Sequence, residues 1–342
     1  MEILKSTGNM ISRRKFLGNA AALTAFSVAP FTFSCKRSTA GKEKTATAMN
    51  SNFGGVQIGA ITYSWRSMPG GIENIITYCM ETGVSSIELM SSDLENYLGA
   101  PANPMSGMPR SPAGTRSPGL NDEQKEAVDK YYRDLNAWRL SVSSEELVKV
   151  RKMFDQEGIE IHIVKFSPSR WPDEETDYAF RAAKALGARG VSEEIGEEAV
   201  KKLGPIAEKH GMYAIFHNHM QFAEEGFSYD PFLAVSPAVM MNFDAGHFFG
   251  STGLHPNTII EKYHDRIFSV HLKDKTGPNT DPPNTNQVWG QGEVPIADIL
   301  LLIKENGWPI KCDIELEYEI KPWSNAVKEV NTCLHYARQI LI

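Results

Sequence analysis

Short apolar runs alternate with amphipathic segments along most of the chain. The apolar run at 56–62 is followed by a segment at 71–82 whose isoleucines repeat with helical spacing, and a second apolar run follows at 84–90. The same order returns four more times, and each helical segment stops at a glycine, which suits the left-handed position that ends helices. This alternation predicts βα units and a parallel sheet. The glycines are Gly83, Gly158, Gly187, Gly211 and Gly307.

Eight apolar runs can be counted in this way. Eight βα units in about 290 residues predict one closed (β/α)8 TIM barrel, which we assign to residues 54–342. A doubly wound open sheet is the structural alternative, although no Gly-x-Gly-x-x-Gly follows the first run. The strands are expected near residues 58, 87, 162, 191, 214, 241, 269 and 313.

One segment interrupts the alternation. Residues 91–121 are rich in Pro, Gly, Ser and Met and follow the second predicted strand. Long loops at the carboxyl end of a barrel strand are usually lids or substrate walls, so we expect a loop insertion with that role. A disordered insertion is the alternative.

Several predicted strands end in His, Asp, Glu or Lys. Barrel active sites lie where strands end, so these side chains are expected to converge. Carboxylates and imidazoles together suit one divalent ion, Mn²⁺, Mg²⁺, Co²⁺ or Zn²⁺. An ion-pair network at the sheet edge is the alternative. The residues are Glu88, Lys165, Glu193, Glu194, His217, His219, Asp244, His271 and Glu315.

His217 and His219 lie two residues apart, so both face one side of a strand. Facing inward, they bind substrate hydroxyls or act as acid and base near neutral pH; a hydrogen-bonded core pair is the alternative. Lys165 either contacts substrate or extends its stem along apolar surface.

Four further residues are candidates for substrate binding. His247 follows Asp244 in what we expect to be the start of a loop, and Lys273 follows His271 by two residues. Glu88 either touches substrate or holds a metal ligand in place. Trp289 stacks on a sugar face or fills a loop.

The charge of the chain limits its partners. The net charge of −7 argues against a nucleic-acid partner.

The N-terminal segment indicates export. Residues 12–17 (SRRKFL) and the Ala-rich segment after them are typical of a twin-arginine export signal over 1–35; a chance Arg-Arg pair is the alternative. Cys35 is a candidate lipid-acylation site, and residues 36–53 are expected to be a flexible linker. These features predict a periplasmic protein that touches a membrane only through that anchor, with the oligomeric state left open.

The cysteines of the body are sparse and odd in number. Cys79, Cys312 and Cys333 do not form a disulfide framework, so we expect buried free thiols.

The chain resembles the xylose-isomerase-like barrel superfamily, also known as sugar phosphate isomerases/epimerases. The resemblance covers roughly 55–340 and rests on FDAGH at 243–247, VHLKD at 270–274, GQGEVP at 290–295 and IELE at 314–317. It implies a metal held by a glutamate together with Asp244, His271 and Glu315. The His-Asn-His at 217–219 is similar to the inosose-dehydratase branch, where a glutamate on the fourth strand completes the set; here that is Glu194, with Glu193 as its neighbour.

The resemblance implies an enzyme that removes a proton next to a carbonyl of a sugar. Glu194, Glu315, His217 and His219 are the expected catalytic residues. Isomerisation, epimerisation and β-elimination of a keto-glycoside share this first step, and export favours a non-phosphorylated sugar or keto-sugar. A carbohydrate-binding lipoprotein without catalysis and a DNA-repair endonuclease are the alternatives from other classes; the acidic charge disfavours the second.

Overall fold

The computed structural model of the protein describes residues 49–106 and 119–342. The predicted export signal, Cys35 and residues 36–48 of the predicted linker lie outside the described residues, as do residues 107–118 of the predicted insertion. No helix among the described residues combines the length and the apolar character that crossing a membrane requires.

Eight parallel strands form a closed barrel. Each strand pairs with the next one along the chain, and the last strand pairs with the first, with Cys312 opposite Ile58. The predicted (β/α)8 TIM barrel in a single domain is therefore confirmed. The strands are β1 Val56–Ile61, β2 Ser86–Met90, β3 Glu160–Lys165, β4 Gly190–Glu194, β5 Tyr213–His217, β6 Val239–Asp244, β7 Ile267–Leu272 and β8 Lys311–Ile314.

Helices cover the outside of the barrel. Gly83, Gly211 and Gly307 each follow the last residue of a helix with φ between 62° and 82°, as the predicted helix ends require. Short 3₁₀ turns lie at Thr62–Trp65 and Gln221–Ala223. The helices are α1 Ile72–Thr82, α2 Ser91–Tyr97, α3 Asp122–Ser141, α4 Ser144–Gln156, α5 Asp173–Ala185, α6 Glu197–His210, α7 Asp230–Leu233, α8 Ala245–Thr252, α9 Asn257–Tyr263, α10 Ile296–Asn306 and α11 Ala326–Leu341.

The fourth strand, expected near residue 191, lies at Gly190–Glu194. Two local predictions were wrong. A loop was expected after Asp244, where α8 begins instead. The first part of the predicted loop insertion is helix α2.

The chain joins the barrel before the end of the predicted linker. Ser51 is buried, and its hydroxyl donates to the carbonyl of Ile58 at 2.5 Å. Asn52–Phe53 pairs with β1 in antiparallel register. Residues 51–53 therefore belong to the folded body.

A long helix after the insertion is fixed to the barrel by one arginine. Arg139 of α3 is buried, and its guanidinium donates two hydrogen bonds to Glu95 (2.7 and 2.8 Å) and one to Glu175 (2.5 Å). It also lies 3.6 Å above the ring of Trp171. These contacts join α3 to α2 and α5, so that α3 forms a fixed wall beside the barrel mouth.

The barrel lumen is polar along β8. Its alternate residues reach across the lumen: Lys311 to Glu160 at 2.6 Å and Asp313 to His162 at 2.9 Å. Gly59 of β1 is needed beside this column, because a Cβ there would lie 2.1 Å from Oδ1 of Asp313. The outward-facing residues Cys312 and Ile314 are buried under the helices.

Candidate metal and active site

Four buried side chains converge at the carboxyl end of the barrel. His217 ends β5, Asp244 ends β6, His271 lies near the end of β7, and Glu315 directly follows β8. Each offers one ligand atom, and the four atoms lie within 4.8 Å of one another. Because the strands are parallel and closed, residues far apart in sequence meet here.

Asp244 also begins helix α8. Its Oδ1 accepts the backbone N–H of His247 at 2.7 Å, so it caps the helix, while Oδ2 lies 2.8 Å from Nζ of Lys273 and 3.2 Å from Nε2 of His217. Burial raises the pKa of Asp244, but the charge of Lys273 and the hydrogen bond from His217 outweigh it and hold the pKa well below its usual range. Asp244 is therefore an ionised carboxylate.

His271 is held between two carboxylates. Its Nδ1 lies 2.8 Å from Oε2 of Glu315, and its Nε2 lies 2.8 Å from Oε2 of Glu88. Glu88 is fully buried and also accepts from Ser192 at 2.5 Å and Asn242 at 2.8 Å. An imidazole fixed through one nitrogen presents the other to a metal, so Glu88 has the geometry of a residue that orients His271.

The pKa of Glu88 supports that arrangement. Burial raises it, but the charge and hydrogen bond of His271 and the charge of Lys165 lower it to about 2. Glu88 is thus an acceptor at neutral pH, which leaves Nε2 of His271 as a donor.

Glu194, rather than Glu193, faces the site. Its Oε1 accepts from Lys165 at 2.6 Å, and its Oε2 lies 3.2 Å from Nδ1 of His217 and 3.5 Å from Nε2 of His219. Glu193 instead accepts the backbone N–H of Ser169 at 2.8 Å. The neighbouring His217 and Lys165 overcome burial and lower the pKa of Glu194.

The structure brings His217 into the buried group of four, where the resemblance implied Glu194. Glu194 forms a second group with His217 and His219 on the outer side of that imidazole. Its side chain is 40% exposed and that of His219 is 51% exposed, so both face the barrel mouth. The assignment of Glu194 as a metal ligand stays a prediction.

Lys273 lies at the centre of the acidic groups. Its side chain is buried, and Nζ lies 2.8 Å from Asp244, 2.8 Å from Glu315 and 2.7 Å from Glu317. Glu317 was not among the predicted site residues, although its spacing of two residues from Glu315 places both side chains on one face. His247 adds a neutral group at the rim: its Nε2 lies 3.5 Å from Glu317, and burial lowers the pKa of His247 to about 4.

Trp289 is not brought into this cluster by any described contact. It is buried, and its ring meets Tyr336 of α11 edge-on at 5.9 Å between centroids. Its stacking on a sugar therefore stays a prediction.

The donor set fits a divalent cation. Five carboxylates surround two ammonium groups in a largely buried space, which is an excess of three negative charges before any imidazole proton is counted. Burial lowers the pKa of His271, but the charges of Glu315 and Glu88 outweigh it and raise the pKa well above its usual range, so a bound divalent ion would take the place of an imidazole proton. Oxygen and imidazole donors suit Mn²⁺, Mg²⁺, Co²⁺ or Zn²⁺. His217, Asp244, His271 and Glu315 are the residues that would hold the ion. The carboxylates are Glu88, Glu194, Asp244, Glu315 and Glu317, and the ammonium groups are Lys165 and Lys273.

The chain is similar to inosose dehydratases over part of its length. The protein from Bacillus licheniformis is 30% identical over 164 residues, which cover 46% of this chain and 45% of that protein. The protein from Clostridium beijerinckii is 37% identical over 83 residues, covering 22% and 26%. The chain thus spans less than half the length of these curated relatives.

Solved structures with low identity share the fold. The probable 3-DHS dehydratase AsbF from Bacillus anthracis superimposes with a TM-score of 0.54 at 14% identity, covering 82% of this chain and 98% of that one. A D-psicose 3-epimerase superimposes with a TM-score of 0.52 at 12% identity, covering 84% and 99%. At these identities the likeness establishes the fold alone.

A sequence model of one family matches most of the barrel. It is described as the xylose isomerase-like TIM barrel and matches residues 126–334, more than half of the chain. The chain belongs to the xylose isomerase-like TIM barrel family.

Proposed function

We propose that the protein is a divalent-metal-dependent enzyme that removes a proton next to a carbonyl of a non-phosphorylated sugar or keto-sugar. The buried group of His217, Asp244, His271 and Glu315 carries this proposal, because a carbohydrate-binding protein gains nothing from ionised ligands held out of water. When bound, the ion supplies Lewis-acid polarisation of the carbonyl.

The exposed members of the site suit proton transfer. Glu194 is ionised and partly exposed, so a substrate at the barrel mouth can approach its carboxylate. Lys165 holds that carboxylate in place, since the charges of Glu194 and Glu88 outweigh burial and raise the pKa of Lys165. Burial and the neighbouring His217 lower the pKa of His219, which makes it a neutral acceptor near pH 7.

Isomerisation, epimerisation and elimination all begin with this proton transfer. The inosose dehydratase relatives favour elimination, since their name describes the loss of water. Elimination is therefore the second candidate, and a β-eliminating lyase acting on a keto-glycoside is one form of it.

Solvent hydrogen exchange tests the proposed chemistry. Candidate sugars and 3-keto-glycosides are followed by NMR in heavy water with Mg²⁺, and at least one should exchange a carbon-bound hydrogen. Glu194→Gln and Glu315→Gln keep the side-chain shape and should slow exchange by a factor on the order of 100 or more. Glu319→Gln, an exposed site just after the cluster, is the matched control. Tight binding of a sugar without any exchange would favour the carbohydrate-binding protein instead.

Metal content is a separate test. The purified protein should carry about one divalent ion per chain, and Asp244→Asn should lose it while the circular dichroism of the barrel persists. Full occupancy in that variant would place the metal elsewhere.

We also propose export by the twin-arginine route, with a lipid anchor at Cys35. Residues 12–17 support it. Replacing both Arg13 and Arg14 by Lys should keep the precursor in the cytoplasm, and unchanged periplasmic yield would reject the route.

A further inference from the structure

A large cleft opens beside Glu194. Its volume is about 1220 Å³, above the roughly 300–1,000 Å³ typical of small-molecule sites. It lies between α3 and the loops that follow β3 and β4. Glu194 lines it, whereas Asp244, His271 and Glu315 are not among the described residues of its wall. The cleft therefore lies outside the buried group of four and includes Glu194, which contacts His217 of that group.

The wall of the cleft has the chemistry of a carbohydrate site. Tyr132 of α3 is 62% exposed, so its ring is free to cover an apolar ring face. Asn136, Ser167 and Ser169 add amide and hydroxyl groups. An exposed aromatic ring beside amide, hydroxyl and carboxylate groups suits a sugar or aryl unit.

The charges of the wall give no advantage to an anionic ligand. The guanidinium of Arg139 is already paired with Glu95 and Glu175, which leaves Arg133 and Arg170 as the arginines of the described wall without a paired carboxylate. The carboxylates of Glu194, Glu197 and Glu198 are paired as well, the first with Lys165 and the other two with Lys201. Glu174 and Glu193 remain and balance the two guanidinium groups, so the wall offers a phosphate no excess of positive charge.

The wall is held in place on both sides of the cleft. Arg139 fixes α3, as described above. Ser167, two residues after the end of β3, has φ of 53°, a left-handed conformation that is strained for a residue other than glycine. Such conformations persist where the surrounding structure imposes them, and they cluster at ligand sites.

We propose that the substrate is an unphosphorylated glycoside whose reacting ring lies at the metal cluster and whose second unit occupies the cleft against Tyr132. This deepens the proposed function and rests on it for the placement of the reacting ring. The second unit is a sugar ring or an aryl group, since either presents a flat apolar face to the tyrosine.

Calorimetry with paired ligands tests the cleft without turnover. Methyl and phenyl glycosides of glucose, galactose and mannose differ only in the aglycone, and none carries the ketone that the proposed reaction needs. At least one phenyl glycoside should bind about tenfold more tightly than its methyl partner. Tyr132→Ala should remove that difference and leave methyl glycoside binding unchanged. Tyr97→Ala, a partly exposed tyrosine of α2 that does not line the cleft, is the matched control and should behave as the wild type.

The outcomes separate the two proposals. The cleft assignment is overturned if no phenyl glycoside binds more tightly than its methyl partner, or if the gain persists in Tyr132→Ala. Because calorimetry measures binding, its result is independent of the hydrogen-exchange experiment. Hydrogen exchange without tighter binding of a phenyl glycoside rejects the assignment of the cleft and leaves the catalytic proposal standing. An aglycone effect without exchange on any sugar rejects the catalytic proposal and keeps the cleft as a glycoside-binding site.

Discussion

Removing the Arg139 side chain should destabilise the protein strongly. Arg139→Ala leaves Glu95 and Glu175 facing each other without a cation, and the side chains of all three residues are only 7–8% exposed. Solvent therefore screens the repulsion between the two carboxylates poorly, and neither carboxylate keeps a cation that offsets the cost of its burial.

The structure sets the size of the effect. Removing one partner of a buried ion pair costs about 3–5 kcal/mol, and here three charge-assisted hydrogen bonds and the contact with Trp171 are lost together. The amide of Asn136 still donates to Glu175 at 2.9 Å and offsets part of the loss. We expect a decrease of about 3–4 kcal/mol in the free energy of unfolding, a large share of the usual 5–15 kcal/mol.

Urea unfolding at pH 7 measures this change. Arg133→Ala, an exposed position on the same helix, should cost less than about 0.5 kcal/mol and serves as the control. A loss below about 1 kcal/mol at pH 7 would refute this account of how α3 is held.

Three further predictions concern the lumen and the core. Glu88→Gln removes the negative charge of the group that accepts from His271 and should weaken metal affinity about 10- to 100-fold in a chelator competition, and affinity within twofold of wild type would contradict its orienting role. Burial raises the pKa of Glu160, but the hydrogen bond and the charge of Lys311 outweigh burial and leave the pKa below 4.5. The ion pair therefore stabilises the fold above pH 4.5, and this stabilisation is lost as pH falls through the pKa of Glu160 in the folded protein. Glu160→Gln should thus cost up to about 1 kcal/mol at pH 7, since the carboxylate is half exposed, and progressively less as pH falls below 4.5; a cost that does not change with pH would exclude the pair as its cause. In a Cys35→Ser chain, a thiol reagent should leave the folded protein unmodified and should label Cys79, Cys312 and Cys333 in urea, because these thiols are buried and burial raises the pKa of each. Labelling of the folded chain would show that one of the three thiols is accessible.

The sequence predicted the barrel because each βα unit carries its own local signals. Apolar runs of strand length and glycines such as Gly83 and Gly211 recur in order, and both kinds of signal act within a few residues. The buried free thiols were also predicted correctly among the described residues. Helix α3 was missed because only Leu135 and Arg139 of its 20 residues are buried, which leaves almost no apolar stripe to detect.

The residues of the site were found more easily than their mutual contacts. Asp244, His271 and Glu315 end apolar runs, which a sequence shows directly. The place of His217 between Asp244 and Glu194, and that of Lys273 between Asp244 and Glu317, depend on strand register and on side-chain reach across the barrel. Those are long-range properties that no local pattern encodes.

The alternating residues of β8 make catalytic competence and barrel closure inseparable. Lys311 and Asp313 lie on one face of the strand that closes the barrel against β1, and Glu315 continues that face directly after the strand. Lys311 and Asp313 meet Glu160 and His162 of β3, whereas Glu315 meets His271 of β7. A one-residue shift in the register of β8 would place all three charged side chains beneath the helices and Cys312 and Ile314 in the polar lumen. A chain with this shifted register would thus lose the pairing of β8 with β1 together with the active-site position of Glu315. Selection for activity at this strand is therefore also selection for correct closure of the barrel.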